Sequence, residues 1–369
     1  MSVQPPEHAV APRAPTPEQE PEPAAPRVGP PVAWLGRLAR WEVLLIGLLI
    51  GVLVYNTRLS PYFWNGDNIL DDTSNFMEIG ILALPLTLII IAGHIDLSVA
   101  SNAALCAVVF ATRYHAGWNV WVACLAALLV GTLAGLVNGL IIMRVRLPSL
   151  VVTLGTYALY RGLANAVLGT GEISDFPAAF ASIDMRYLPG THIPAPLLIF
   201  TGLAIMTAIL LHATVFGRYV FAIGNNEQAC RFSGVAVDRI VVILFTLSGL
   251  LSALAGLILT SRLQTARSDL ATNFELDAIT AVVLGGANIF GGEGSIPGTV
   301  LALFVIGLLQ NGMTLANTSS EVQNIAVGAL LILAILLPGL VRRGRAARAR
   351  RKGGEASRAE RALAVDSKQ

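Results

Sequence analysis

The chain has 369 residues, 54% of them hydrophobic and 13% charged, with a formal net charge of +2. Soluble domains carry about 25% charged residues, and the mean hydropathy here is +0.67. Composition therefore excludes an ordinary soluble enzyme and a nucleic-acid-binding protein, and it points to an all-α protein that crosses a membrane repeatedly.

In chain order, residues 1–36 come first. They are rich in Pro, Ala and Glu and have no apolar run, so they read as a disordered tail and not as a secretory signal. Residues 37–341 form the membrane domain. About ten stretches approach the roughly 20 apolar residues that span a bilayer. They lie near 40–56, 76–92, 97–112, 118–142, 149–168, 196–215, 240–261, 278–292, 297–315 and 323–341. The second and third are divided only by Gly93-His94-Ile95-Asp96. The eighth is short and glycine-rich, which leaves its crossing open. Pro85, Pro148 and Pro297 mark kinks or helix starts. A basic tail, 342–369, closes the chain.

An even number of crossings puts both termini on one side. That side carries Arg37, Arg40, Arg144, Arg146, Arg218, Arg231, Arg239 and the cluster from Arg342 to Lys352, against Arg58, Arg113, Arg186, Arg262 and Arg267 opposite. The excess predicts cytoplasmic termini, and the C-terminal cluster decides it. An internal repeat is suggested by GTLAGLVNG (131–139) beside GTVLALFVIGLLQNG (298–312), and by IIIAGHIDLSVAS beside VVLGGANIFGGEGS. Duplicated halves are common in transporters.

No catalytic constellation or metal set is visible. The five histidines are dispersed, and the three cysteines show no CxxC pairing. The only lysines, Lys352 and Lys368, follow no phosphate-binding glycine loop. The chain is thus read as a transport subunit without a cofactor of its own. Any ATP that drives it is bound by a partner.

Three groups of residues carry the functional expectations. In the first, His94, Asp96 and Ser98 interrupt an apolar run. A carboxylate at bilayer depth costs about 2.5–3.5 kcal/mol on insertion scales, so Asp96 either caps the following helix or lines a translocation path. The second is the polar connection 216–239. It reads as a short helix from Asn226 to Phe232 with Gly234 as its cap. Its apolar residues Ala229, Cys230, Phe232 and Val235 suggest docking into a partner's groove. The third comprises polar residues within helices: Asn138, Thr153, Tyr157, Arg161, Asn165, Asn288 and Asn311. Thr153, Tyr157 and Arg161 share one helix face, which points into the protein or a cavity. For each of these, helix–helix hydrogen bonding is the alternative.

Four segments in order, GHIDLSVAS (93–101), LPSLVVTLGTYALYRGLA (147–164), FGRYVFAIGNNEQACRFSGVAVDR (216–239) and LDAITAVVLGGANIFGGEGSIPGT (276–299), resemble the permease subunits of bacterial ABC importers for monosaccharides. These are the ribose, xylose, rhamnose and autoinducer-2 group, and the resemblance covers roughly residues 40–340. The last third most resembles rhamnose- or autoinducer-2-type permeases. His94 and Ala100 depart from the family's usual glycines.

The resemblance implies a multi-pass protein of the bacterial inner membrane, paired with an identical or related permease subunit. It implies a periplasmic binding protein that delivers solute, and a cytoplasmic ABC ATPase that docks on a coupling helix. Here that helix spans Asn225, Asn226, Glu227, Ala229, Arg231, Phe232 and Gly234. Alternatives are a branched-chain amino acid ABC permease and an ion-coupled secondary transporter.

Overall fold

The computed structural model describes residues 32–59, 63, 66–169, 171–185, 194–334 and 336. The readings of the N-terminal tail before Val32 and of the basic C-terminal tail lie outside them. Among the described residues the chain is all-α apart from two three-residue strands.

The helices are α1 (Val32–Leu59), α2 (Gly66–Ile91), α3 (Val99–His115), α4 (Val120–Leu140) and α5 (Ser149–Leu168). They continue with α6 (Ala178–Met185), α7 (Ala195–Ala213), α8 (Val215–Asn225), α9 (Glu227–Phe232), α10 (Val237–Leu263), α11 (Phe274–Leu284) and α12 (Ile296–Leu315). A thirteenth, α13, covers Ser320–Ala334. A π-helical turn, Ile141–Val145, continues α4 and ends at Arg146 in a left-handed conformation. Strands β1 (Glu172–Ser174) and β2 (Thr265–Arg267) pair antiparallel, with Ile173 opposite Ala266.

Among the described residues six helices, α1, α2, α4, α7, α10 and α12, are long and apolar enough to cross a membrane. Among the other predicted crossings, α3 has 17 residues and α11 has 11. At 1.5 Å per residue α11 is about 16 Å long, half of a bilayer core. The crossing left open at 278–292 is not a regular helix: the helix stops at Leu284, and residues 285–295 form a glycine-rich loop. α5 is long enough, but Thr153, Thr156, Tyr157, Tyr160, Arg161 and Asn165 dilute its apolar content.

The centre of the molecule is α2. Its apolar window is 94% buried within the protein, against 17% for that of α1. A helix that is apolar all round belongs inside, and α2 packs on α7, α10, α11 and α12. A close crossing joins α4 to α10. Gly131, Gly135 and Gly139 stack at four-residue spacing on Ala253, Gly249, Phe245 and Val242, the small-residue pattern that lets membrane helices approach backbone to backbone.

Of the two suggested repeat pairs, only one matches in position. The loops 92–98 and 285–295 both separate an incoming helix from an outgoing one. The glycines of GTLAGLVNG instead lie within α4, whereas Gly298 and Thr299 begin α12 directly after its loop.

Candidate functional site

The loop between α2 and α3 carries Asp96, which is 2% exposed. Its Oδ1 accepts from the Ser98 backbone N–H at 2.9 Å and from the Ser98 hydroxyl at 2.6 Å. Its Oδ2 accepts from the Ser248 hydroxyl of α10 at 2.8 Å. Asn138 of α4 donates its amide to Ser98 Oγ at 2.8 Å, and the Tyr160 hydroxyl of α5 reaches Asn138 Oδ1 at 3.2 Å. The donors thus run in one direction, Tyr160 to Asn138 to Ser98 to Asp96, and end on a carboxylate. Ser248 stands 11 residues into α10, about 16 Å along it. Three donors on a buried carboxylate are what keeps such a group tolerable without a cation.

Asp96 is not itself the N-cap of α3. Ser98 holds that position and makes no side-chain cap bond. Asp96 fixes the N-cap residue from two positions upstream and ties it to three other helices. His94 lies edge-on to Phe245, with ring centroids 6.2 Å apart, and its Nε2 is buried without a partner.

The α9 segment is defined by local chemistry. The Asn226 side chain accepts from the Ala229 N–H at 2.9 Å, the N-cap bond. At the other end Gly234 has φ +79°. Its N–H donates to Arg231 O, and the Val235 N–H donates to Cys230 O. That pair of bonds is a Schellman motif, in which the left-handed position suits glycine.

The predicted apolar stripe divides in two. Cys230 is buried and Val235 half-buried, both packed on the hydrophobic core, whereas Ala229 is exposed and Phe232 is 92% exposed. Arg231 is engaged within the chain: its Nη2 lies 2.6 Å from Asp238 Oδ1 and 2.9 Å from Glu227 Oε1. The hydrogen bonds to Asp238 and then to Glu227 raise its pKa further, so it stays charged at every physiological pH. The brace is half-exposed, and Arg231→Gln is expected to lower stability by under about 1 kcal/mol. Thermal unfolding of the solubilised protein checks this, and a much larger loss would mean that the brace holds α9 in place.

Behind α9 three backbones cross. Gly224 is the penultimate residue of α8, and a Cβ there would overlap Ile91 O and stand 2.5 Å from Gly292 N. The Gly292 N–H donates to Ile91 O at 2.8 Å. Gly291, at φ +90°, faces Gly224 and Gly93. The two loops that interrupt membrane helices, 92–98 and 285–295, therefore meet each other and the end of α8, just before α9, at one glycine junction.

Residues 68–335 match the family described as branched-chain amino acid transport system / permease component. The chain belongs to this family. Curated relatives include the autoinducer 2 import system permease protein LsrD of Klebsiella pneumoniae, 40% identical over 302 residues. That alignment covers 80% of this chain and 90% of the relative. The LsrD proteins of Yersinia enterocolitica and Escherichia coli K12 are also 40% identical, over 80% of this chain and 91% of theirs. No solved structure matches the chain. The protein is thus a multi-pass permease subunit of the sugar-type ABC importers.

The remaining predicted residues of the permease separate by position. Thr153 is fully buried, and its hydroxyl contacts Ser149 O and Ile95 O. Tyr157 and Arg161 are half-buried, with the guanidinium 5.9 Å from the Tyr157 ring and bonded to Ser268 O and Leu270 O at 2.8 Å. They lie beside β2, at the opposite end of α5 from Ser149. Asn165 is exposed. Asn311 is buried on α12, 8% exposed. Asn288 is corrected: it sits in the 285–295 loop, where its Oδ1 accepts from the Phe290 N–H at 3.1 Å.

Sequence reading missed Ser248, Tyr160 and Gly224. Tyr160 had a usable signal, because Ser149, Thr153, Thr156 and Tyr160 repeat at three- and four-residue steps and form the more buried stripe of α5. Glu78 was also missed. It is fully buried and paired with Arg262 at 3.0 Å, far from the Asp96 network. Among the described residues no group of His, Cys, Asp or Glu is placed to hold a metal ion.

Proposed function

We propose that this permease forms the translocation pathway of an ATP-driven importer for a monosaccharide-like solute of the autoinducer-2 kind. ATP is hydrolysed in a separate cytoplasmic ABC ATPase, and this chain binds no cofactor. The observation that carries the reading is the glycine junction at Gly224. Gly224, in the last turn of α8 and two residues before the Asn226 cap of the surface helix α9, touches by backbone both loops that break membrane helices. A displacement of α9 by a partner then moves both loops, which provides the coupling that a subunit without a P-loop requires.

On this reading α9 faces the cytoplasm with Arg144, Arg146, Arg218 and Arg239, and both termini lie on that side of the inner membrane. A second permease subunit completes the path, and a periplasmic solute-binding protein docks at the β1–β2 end. Lipid covers the apolar faces of α1, α4 and α7. The identity to autoinducer-2 permeases favours this solute class over branched-chain amino acids.

Ala229→Glu places a charge on the exposed face of α9 without touching its caps. It is expected to reduce ATPase co-purification and solute uptake at least tenfold while thermal unfolding is unchanged. Normal association and uptake in this variant would remove the coupling role of α9. Uptake of labelled autoinducer-2 against leucine by the assembled importer tests the solute class.

A further inference from the structure

We propose that Phe290, at the tip of the 285–295 loop, is a second anchor for the ATPase subunit beside α9. The inference rests on the reading that the ATPase docks at α9, and extends the docking surface to a loop that is remote in sequence.

Phe290 is 89% exposed. It and Phe232 of α9 are by a wide margin the most exposed large apolar side chains among the described residues. The loop that carries Phe290 is held on both flanks. Phe290 N–H bonds to Asn288 Oδ1, Gly291 N–H to Asn288 O, Asn288 N–H to Glu293 O, and Gly292 N–H to Ile91 O. Gly286, Gly291 and Gly292 supply the left-handed turns that this path needs, with φ of +94°, +90° and +80°. The aromatic ring is therefore presented by a fixed backbone, which spares the ordering cost of binding.

Two features place the ring on the aqueous side and against the α9 surface. The Trp41 indole bonds to Leu284 O at 2.9 Å, and Trp41 opens the apolar stretch Trp41–Arg58 of α1. Tryptophan at the end of such a stretch marks the membrane boundary, and Phe290 follows Leu284 outward. The loop beyond it carries polar groups and packs on the end of α8: Asn225 lies at Gly292, Gly224 at Gly291, and Glu293 is exposed. The surface around Phe290 is thus continuous with the start of α9, and exposed aromatics on such a surface are the residues that interfaces bury.

The test uses the full permease in nanodiscs and the ATPase subunit that co-purifies with it. Phe290→Ser is expected to weaken ATPase binding on the order of tenfold or more, and Phe290→Leu to remain close to wild type. Both should unfold at the wild-type temperature, since the ring touches no core. A photoactivatable phenylalanine at position 290 is expected to crosslink to the ATPase. If Phe290→Ser binds normally while Ala229→Glu does not, α9 is the sole anchor and the proposal is wrong, although docking at α9 stands. If both variants bind normally, the docking reading fails and takes this inference with it. Crosslinking to lipid alone at position 290, with normal ATPase affinity, would make the ring a membrane anchor and overturn the proposal.

Discussion

Asp96→Leu is expected to abolish uptake and to lower the thermal midpoint sharply, whereas Asp96→Asn preserves both. The leucine variant strands the Ser98 N–H and the Ser98 hydroxyl inside the protein and removes the acceptor of the Ser248 hydroxyl. Each buried unpaired group costs about 1–3 kcal/mol, so the total is on the order of 3 kcal/mol or more, a large part of the 5–15 kcal/mol that holds a typical domain folded. The loss also reaches Asn138 and Tyr160, which are oriented through Ser98. Asparagine keeps the oxygen that faces Ser98 and turns its amide toward Ser248. The serine hydroxyl can rotate to accept that bond and donate to the carbonyl one turn back. Uptake and unfolding measured on both variants separate two roles for the carboxylate. Normal folding and assembly of Asp96→Asn with no transport would show that the charge itself lies on the solute's path.

Gly249→Val is expected to be the most destabilising single change in the α4–α10 crossing. A Cβ on Gly249 would overlap Gly131 O and stand 2.8 Å from Gly135 Cα, where only backbone can give way. Asn102, which donates to both Gly131 O and Gly249 O at 3.3 Å, would lose its seat as well. Overpacking commonly costs 1–3 kcal/mol when side chains can adjust. Here two helices must separate, so about 3 kcal/mol or more is expected, with loss of monodisperse protein on gel filtration. Gly155→Val is the control, because a Cβ on Gly155 meets nothing within 4 Å. Its yield should match wild type apart from helix propensity. A stable, monodisperse Gly249→Val protein would mean that the two helices do not cross this closely.

Both expectations concern contacts that local sequence signals do not encode. Asp96 was conspicuous as a carboxylate in an apolar run, yet its partner Ser248 is 152 residues away. Tyr157 and Tyr160 sit on the same helix with similar neighbours. Which of them reaches the network depends on the face that α4 covers. Asn288 lay in what read as a continuing apolar run, but the helix had already ended at Leu284. A glycine pair can end a helix or pack within one, as Gly285-Gly286 and the α4 glycines show in this chain.

That the chain crosses a membrane is legible in its apolar runs, because transfer of such runs into lipid is a sum over neighbouring residues. The sequence also located α9 to within a residue, since the Asn226 and Gly234 caps act over three or four positions. That α2 is the buried centre, that the Asp96 network joins the α2–α3 loop to α4, α5 and α10, and that both membrane breaks meet the end of α8 at Gly224 follows from the packing of distant segments. Those outcomes depend on which glycines let distant backbones touch. The apolar pattern that carries a helix into the bilayer does not fix its partner there, because lipid and another apolar helix solvate it almost equally well.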